Sequence, residues 1–233
     1  MGSREEPKDV AEVVSRMGDI IMARTFKHST CEELAAHSRV PVINALSDLE
    51  HPCQILADLL TMQEVKGKLE GLNVVFLGDG NNNVTHTLCL AAGMLGMHFK
   101  VGAPEGYFMD SNIVSRAKKM ATESGGSITE SSDPNEVVKD ADVVITDTWI
   151  SMGDEAEKEQ RLTIFPPYQV SEDIMKLAKN DAIFMHCLPA YRDKEVAAAV
   201  LDGPQSVAYQ EAENRLHAQK GLIAWLMNLD TQI

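Results

Sequence analysis

The stretch NVVFLGDGNNNV, Asn73 to Val84, decides the architecture. A β-branched and aromatic run ends at Leu77, a Gly-Asp-Gly turn follows, and apolar positions resume at Val84 with helical spacing. A short buried strand that turns sharply into a helix opens a βαβ unit. The same alternation recurs on both sides. Towards the N-terminus the pattern predicts a helix over Val10–Met17, a strand over Ile20–Ala23, a helix over Cys31–His37 and a strand over Pro41–Ala45. A long helix then runs from His51 to about Val65. Towards the C-terminus it predicts a helix over Val84–Gly96 and strands over Phe99–Gly102, Val143–Thr146 and Ala182–Met185. Shorter helices fall near 110–124, 134–139 and 171–178, and a last one covers Glu211–Met227. The fold class is α/β, with two parallel-sheet units joined by long helices and a boundary near Gly67–Gly71.

Composition narrows the function. The chain has 233 residues, 44% hydrophobic and 24% charged, an ordinary globular balance. Its formal net charge of −14 argues against a partner that needs a basic face, so no nucleic acid and no anionic membrane surface is expected. The longest apolar run, Leu88 to Phe99, has about 12 residues, too few to span a bilayer. The opening MGSREEPKD has no apolar signal core, and Cys31, Cys53, Cys89 and Cys187 are scattered, without a CxxC pair. They read as reduced thiols of a cytoplasmic protein, with no disulfide framework and no metal site.

Polar clusters stand where an α/β sheet collects ligands, at the C-terminal ends of strands. Gly78-Asp79-Gly80-Asn81-Asn82-Asn83 lacks the third glycine of a dinucleotide loop, which leaves a nicotinamide site or a tight Asn-capped turn. Asp147 follows a strand, in Thr146-Asp147-Thr148-Trp149-Ile150-Ser151-Met152-Gly153, and serves either a substrate cation or the next turn. In His186-Cys187-Leu188-Pro189 the thiol is either a packing residue or a contact at the mouth of a site. His51 and Gln54 are three apart at a helix start and share one face. Arg24, at a strand end, and Arg215 are bases in an acidic chain.

Taken together these clusters resemble the ornithine carbamoyltransferases of the aspartate/ornithine carbamoyltransferase superfamily. The elements that carry the resemblance are HPxQ at His51–Gln54, Asp-Thr-Trp-x-Ser-Met-Gly from Asp147, and His-Cys-Leu-Pro from His186, in family order. The resemblance implies a carbamoyl-phosphate domain over 1–66, an ornithine domain over 67–209, and a C-terminal helix over 210–233 that returns to the first. It places carbamoyl phosphate on Arg24, His51, Gln54, Cys187, Leu188 and Arg215. Ornithine falls on Asn83, Asp147, Ser151 and Met152, with Asp147 and Cys187 as the catalytic pair. Asn83 is chosen from the asparagine run because it immediately precedes Val84. No metal or organic cofactor is implied. The expected reaction gives citrulline and phosphate, within arginine biosynthesis or the urea cycle, by a homo-oligomer built on trimers.

The family also carries a Ser-Thr-Arg-Thr-Arg loop near its N-terminus, which this sequence does not contain. The resemblance therefore implies a first domain incomplete at its N-terminus, weakened affinity for carbamoyl phosphate, and apolar faces left uncovered. Two other readings follow: a carbamoyltransferase for a related amine, such as putrescine or an acylated ornithine, and a silent ornithine-binding or assembly subunit.

Overall fold

The alternation builds two parallel sheets. In the computed structural model, which describes residues 5–229 apart from 152 and 154, the first part of the chain runs α1 (Pro7–Val14), β1 (Ile21–Arg24), α2 (His28–His37), β2 (Val42–Leu46) and α3 (Pro52–Lys66). β1 and β2 pair in parallel, Ile21 beside Val42, over a small core of Ala11, Ala23, Cys31 and Leu34. Helix α2 begins a turn earlier than the periodicity predicts. Asp48 Oδ1, distant in sequence, accepts the free His28 N–H at 2.8 Å and extends the helix start. Helix α3 starts on Pro52, whose missing N–H costs nothing at that position, and stops at Gly67 in the left-handed conformation (φ 75°).

The second part runs β3 (Asn73–Leu77), α4 (Asn83–Leu95), β4 (His98–Gly102), α5 (Ser111–Ser124), β5 (Ser127–Ser131), α6 (Pro134–Val138) and β6 (Val143–Thr146). It continues with α7 (Lys158–Ile164), α8 (Glu172–Met175), β7 (Ile183–His186), α9 (Ala198–Leu201) and α10 (Ala208–Leu226). The sheet order is β5-β4-β3-β6-β7, all parallel. From β3 the chain winds outward through β4 and β5, then returns to β6 and β7. The reversal opens a crevice beyond the ends of β3 and β6. Alternate residues of β3 feed opposite cores. Val74 and Phe76 pack with Leu88 and Phe99 on one face, while Val75 and Leu77 pack with Val144 and Phe184 on the other.

Helix α10 lies back along α3, where Asn214 Nδ2 donates to Thr61 Oγ1 (2.9 Å) and Glu64 Oε2 (2.8 Å). Three elements escape the sequence pattern, among them the one-turn helix α9. β5 is an edge strand in which only Ile128 is buried, and α7 is a polar helix whose buried residue is Arg161. Among the described residues no helix is long and apolar enough to cross a membrane.

Helices α4 and α5 touch at Gly93. A Cβ there would sit 2.5 Å from the Ala117 carbonyl oxygen, well inside van der Waals contact. Gly93→Ala is therefore expected to cost about 1–3 kcal/mol by forcing two backbones apart. A urea midpoint equal to wild type would show that the helices separate freely.

Candidate active site

One cleft of about 510 Å³ at that crevice is lined by Arg24, His51, Gln54, Asn83, Asp147, Ser151, Cys187, Leu188 and Arg215. Every site residue read from the sequence reaches it except Met152, which lies outside the described residues. The residues come from separate elements: Arg24 from β1, His51 and Gln54 from the head of α3, Asn83 from the head of α4. Asp147 follows β6, Cys187 and Leu188 follow β7, and Arg215 projects from α10.

One half of the cleft is basic and rich in donors. Arg215 Nη1 donates to Gln54 Oε1. Arg215 Nε and His51 Nδ1 are buried and have no hydrogen-bond partner among the described residues. Buried polar atoms without a partner are costly, and both residues line the cleft. The His51 backbone N–H is fixed by Thr87 Oγ1 at 2.8 Å, so α4 holds the imidazole in place. Burial, then the charges of Arg215 and Arg24, pull its pKa down to about 4, so His51 is neutral at pH 7. A neutral ring can give one N–H to a carbonyl oxygen without adding charge.

That neutrality has a stability consequence. The unfolded ring protonates near pH 6.5, the folded one only near 4, so the folded state binds fewer protons and loses stability as pH falls through this window. From pH 7 to pH 5 the loss through His51 is expected to be about 2 kcal/mol. Asp58 works in the opposite sense, because burial raises its carboxyl. The comparison is therefore wild type against His51→Asn: the variant should lose less stability on acidification, read from urea melts at the two pH values. Parallel losses would contradict the assignment.

The other half is acidic. Asp147 Oδ1 accepts from Thr148 N–H (2.7 Å) and from the Cys187 thiol (3.2 Å). Burial raises the Asp147 carboxyl, and the Cys187 thiol is pushed well up by burial and by the Asp147 charge. Cys187 is thus a thiol donor, not a thiolate nucleophile. The ligating atoms of Asp147, His186 and Cys187 lie within 4.8 Å of one another. Both nitrogens of His186 are already engaged: Nδ1 accepts from Leu188 N–H at 2.9 Å, and Nε2 lies 3.3 Å from Glu195 Oε1. Within the trio the hydrogen bond runs from the Cys187 thiol to Asp147, while His186 is bonded to Leu188 and Glu195 instead. The Leu188 N–H is committed to His186, and the residue lines the cleft.

The asparagine run divides its work. Asn82 caps α4 through Thr85 N–H (2.9 Å), Asn81 is exposed, and Asn83 Nδ2 reaches across to the Ser47 carbonyl at 2.7 Å. Several supporting residues were invisible to the sequence reading. Asp58 and Glu211 flank Gln54, and Asp79 forms a buried ion pair with Arg161, which also donates to the Trp149 carbonyl. The available signal was spacing alone, since Asp58 lies one helical turn beyond Gln54.

Comparison with known proteins places the chain among relatives of one family. Residues 1–64 match the family model of the aspartate/ornithine carbamoyltransferase carbamoyl-P binding domain, and residues 70–226 match that of the Asp/Orn binding domain. The chain is 52% identical over 227 residues to the ornithine carbamoyltransferase of Methanocaldococcus jannaschii, covering 97% of this chain and 74% of that one. The ornithine carbamoyltransferase structure from Pyrococcus furiosus superposes with a TM-score of 0.93 at 51% identity, over 97% of this chain and 72% of that one. The anabolic enzyme of Campylobacter jejuni gives 0.92 at 42% identity, over 97% and 75%.

Proposed function

This chain belongs to the aspartate/ornithine carbamoyltransferase family, and from that premise we propose that it transfers the carbamoyl group of carbamoyl phosphate to the side-chain amine of L-ornithine, giving citrulline and phosphate. The observation that carries the reading is the meeting, in one cleft, of a basic half with unsatisfied buried donors and an acidic half built on Asp147. The relatives above 50% identity carry the plain ornithine name, while an N-acetyl-L-ornithine transcarbamylase structure is more distant at 33%, and nothing in the cleft favours putrescine, an acylated ornithine or a silent subunit.

In this reading residues 1–66 bind carbamoyl phosphate, 67–209 bind ornithine, and 210–233 bring Arg215 back to the first unit. Arg24 and Arg215 bind the phosphate and stabilise the charge that grows as it leaves. His51 donates to the carbamoyl oxygen, which becomes an oxyanion when nitrogen attacks. Gln54 and the Leu188 carbonyl hold the carbamoyl nitrogen. Asn83, Ser151 and Met152 hold ornithine, while Asp147 and the Cys187 thiol orient the attacking amine. That amine, with a pKa of roughly 10.4 as in lysine, must shed its proton first, and desolvation in the cleft favours the neutral form. Holding both substrates in line contributes about 7–11 kcal/mol in favourable cases. The same reading extends to arginine biosynthesis, a trimer-based homo-oligomer and a cytoplasmic location, which rest on the family resemblance.

The test is citrulline formation by this chain, with controls lacking either substrate. Turnover that needs both substrates supports the reading. Binding of neither substrate by the folded chain overturns it.

A further inference from the structure

Gln54 is held on both sides by groups that decide which end of its amide faces the cleft. Its Nε2 lies 2.8 Å from Asp58 Oδ1 and 3.1 Å from Glu211 Oε1, and its Oε1 accepts from Arg215. A guanidinium only donates. The two carboxyl groups, each 1% exposed, both bond the same amide nitrogen, and burial raises both. Asp58 Oδ1 and Glu211 Oε1 serve as the acceptors of that NH2. Glu211 Oε2 is separately occupied by the His186 backbone N–H at 2.8 Å. A flipped Gln54 amide would set its carbonyl against two acceptors and its NH2 against Arg215, losing three hydrogen bonds at once.

We infer that Asp58 and Glu211 are positioning residues: by taking both hydrogens of the Gln54 amide they turn its carbonyl oxygen to the cleft, where it selects an acyl phosphate bearing NH2 over one bearing CH3. The inference rests on the proposed binding of carbamoyl phosphate beside His51, Gln54 and Arg215. A carbamoyl group ends in two N–H donors, and the cleft answers with the second lone pair of Gln54 Oε1 and the Leu188 carbonyl. An acetyl group of nearly the same shape would leave both acceptors buried without a donor, the kind of mismatch that discriminates strongly. The lock spans helices α3 and α10, so it exists only when α10 has returned to its place.

The test compares binding of phosphonoacetamide, acetonylphosphonate and inorganic phosphate to the full chain by calorimetry. The first two are stable mimics that differ by NH2 against CH3. Wild type is expected to prefer phosphonoacetamide by about a hundredfold. In Glu211→Gln the His186 N–H claims the new amide oxygen, which leaves an NH2 facing the NH2 of Gln54. The preference should fall about tenfold while phosphate affinity holds. Asp58→Asn can still present an oxygen to Gln54 and should behave as wild type. The double variant satisfies a flipped Gln54 and should lose most of the preference. An unchanged preference in Glu211→Gln and in the double variant overturns the proposal, as does an equal weakening of all three ligands, which would mark a merely structural role. Arg215→Ala separates the underlying reading. If it leaves phosphate and phosphonoacetamide binding intact, the cleft does not bind carbamoyl phosphate; if it weakens both, a failure in the other variants condemns only the positioning role.

Discussion

Asp147→Asn is expected to lower kcat/KM for ornithine about a thousandfold, a loss of about 4 kcal/mol in transition-state stabilisation. Asparagine keeps the shape and the oxygen that accepts from Thr148 and Cys187, but not the charge. In the free chain burial holds the Asp147 carboxyl above its usual range, so the group is electrostatically unsatisfied until a cation arrives. An ornithine ammonium meeting that carboxylate in a desolvated cleft gains a strong interaction that neutral asparagine cannot supply. The same argument predicts no loss of stability, because removing a buried charge relieves a desolvation cost. Affinity for carbamoyl phosphate should change by less than about threefold, since the basic half of the cleft is untouched. Retention of more than a tenth of wild-type turnover would remove Asp147 from the ornithine site.

Arg161→Met should destabilise the fold by about 3–5 kcal/mol, the cost of leaving a buried carboxylate without its counter-charge. Asp79 is 1% exposed and, among the described residues, would keep only the Asn81 N–H at 2.9 Å. The arginine also lies over Tyr107, 5.0 Å from the ring centroid, and donates to the Trp149 carbonyl. It thereby ties the turn after β3 to the segment that carries Ser151. For a chain of this size the melting temperature should fall by about 10 °C. The double variant Asp79→Leu, Arg161→Met removes both charges together and should recover at least half of the loss, because a buried pair is worth far less than the penalty of breaking it. Additive losses in that cycle would mean that the two charges do not interact.

Local sequence determined the elements and most of the cleft. The continuous β-branched and aromatic run before Gly78 and the helical spacing after it required a strand turning into a helix, and the strand over Asn73–Leu77 falls where it is expected. Because an α/β sheet gathers ligands at strand ends, position marks Asp147 and Cys187 as candidates, and it takes the family resemblance to assign them. His51 and Gln54 were legible from spacing three apart at a helix start. These signals are short-range, since periodicity, caps and turns are written within a few residues of where they act.

Only the tertiary structure decided which charges are buried and what they face. Glu211 and Arg161 sit on polar stretches that read, in sequence, as solvated surface, Asp58 interrupts an apolar helix, and Asp79 stands in a polar turn. The fold instead brings Glu211 from the last helix against Gln54 near the first sheet, and Arg161 from a polar helix against the turn after β3. The start of α2 at His28 and the edge strand β5 have the same origin: a cap donated from Asp48 and a neighbour, β4, that supplies the missing hydrogen bonds. A carboxylate's partner is set by proximity in space. No local pattern encodes it, because the energy of a buried charge depends on the water removed and the counter-charge delivered by remote parts of the chain.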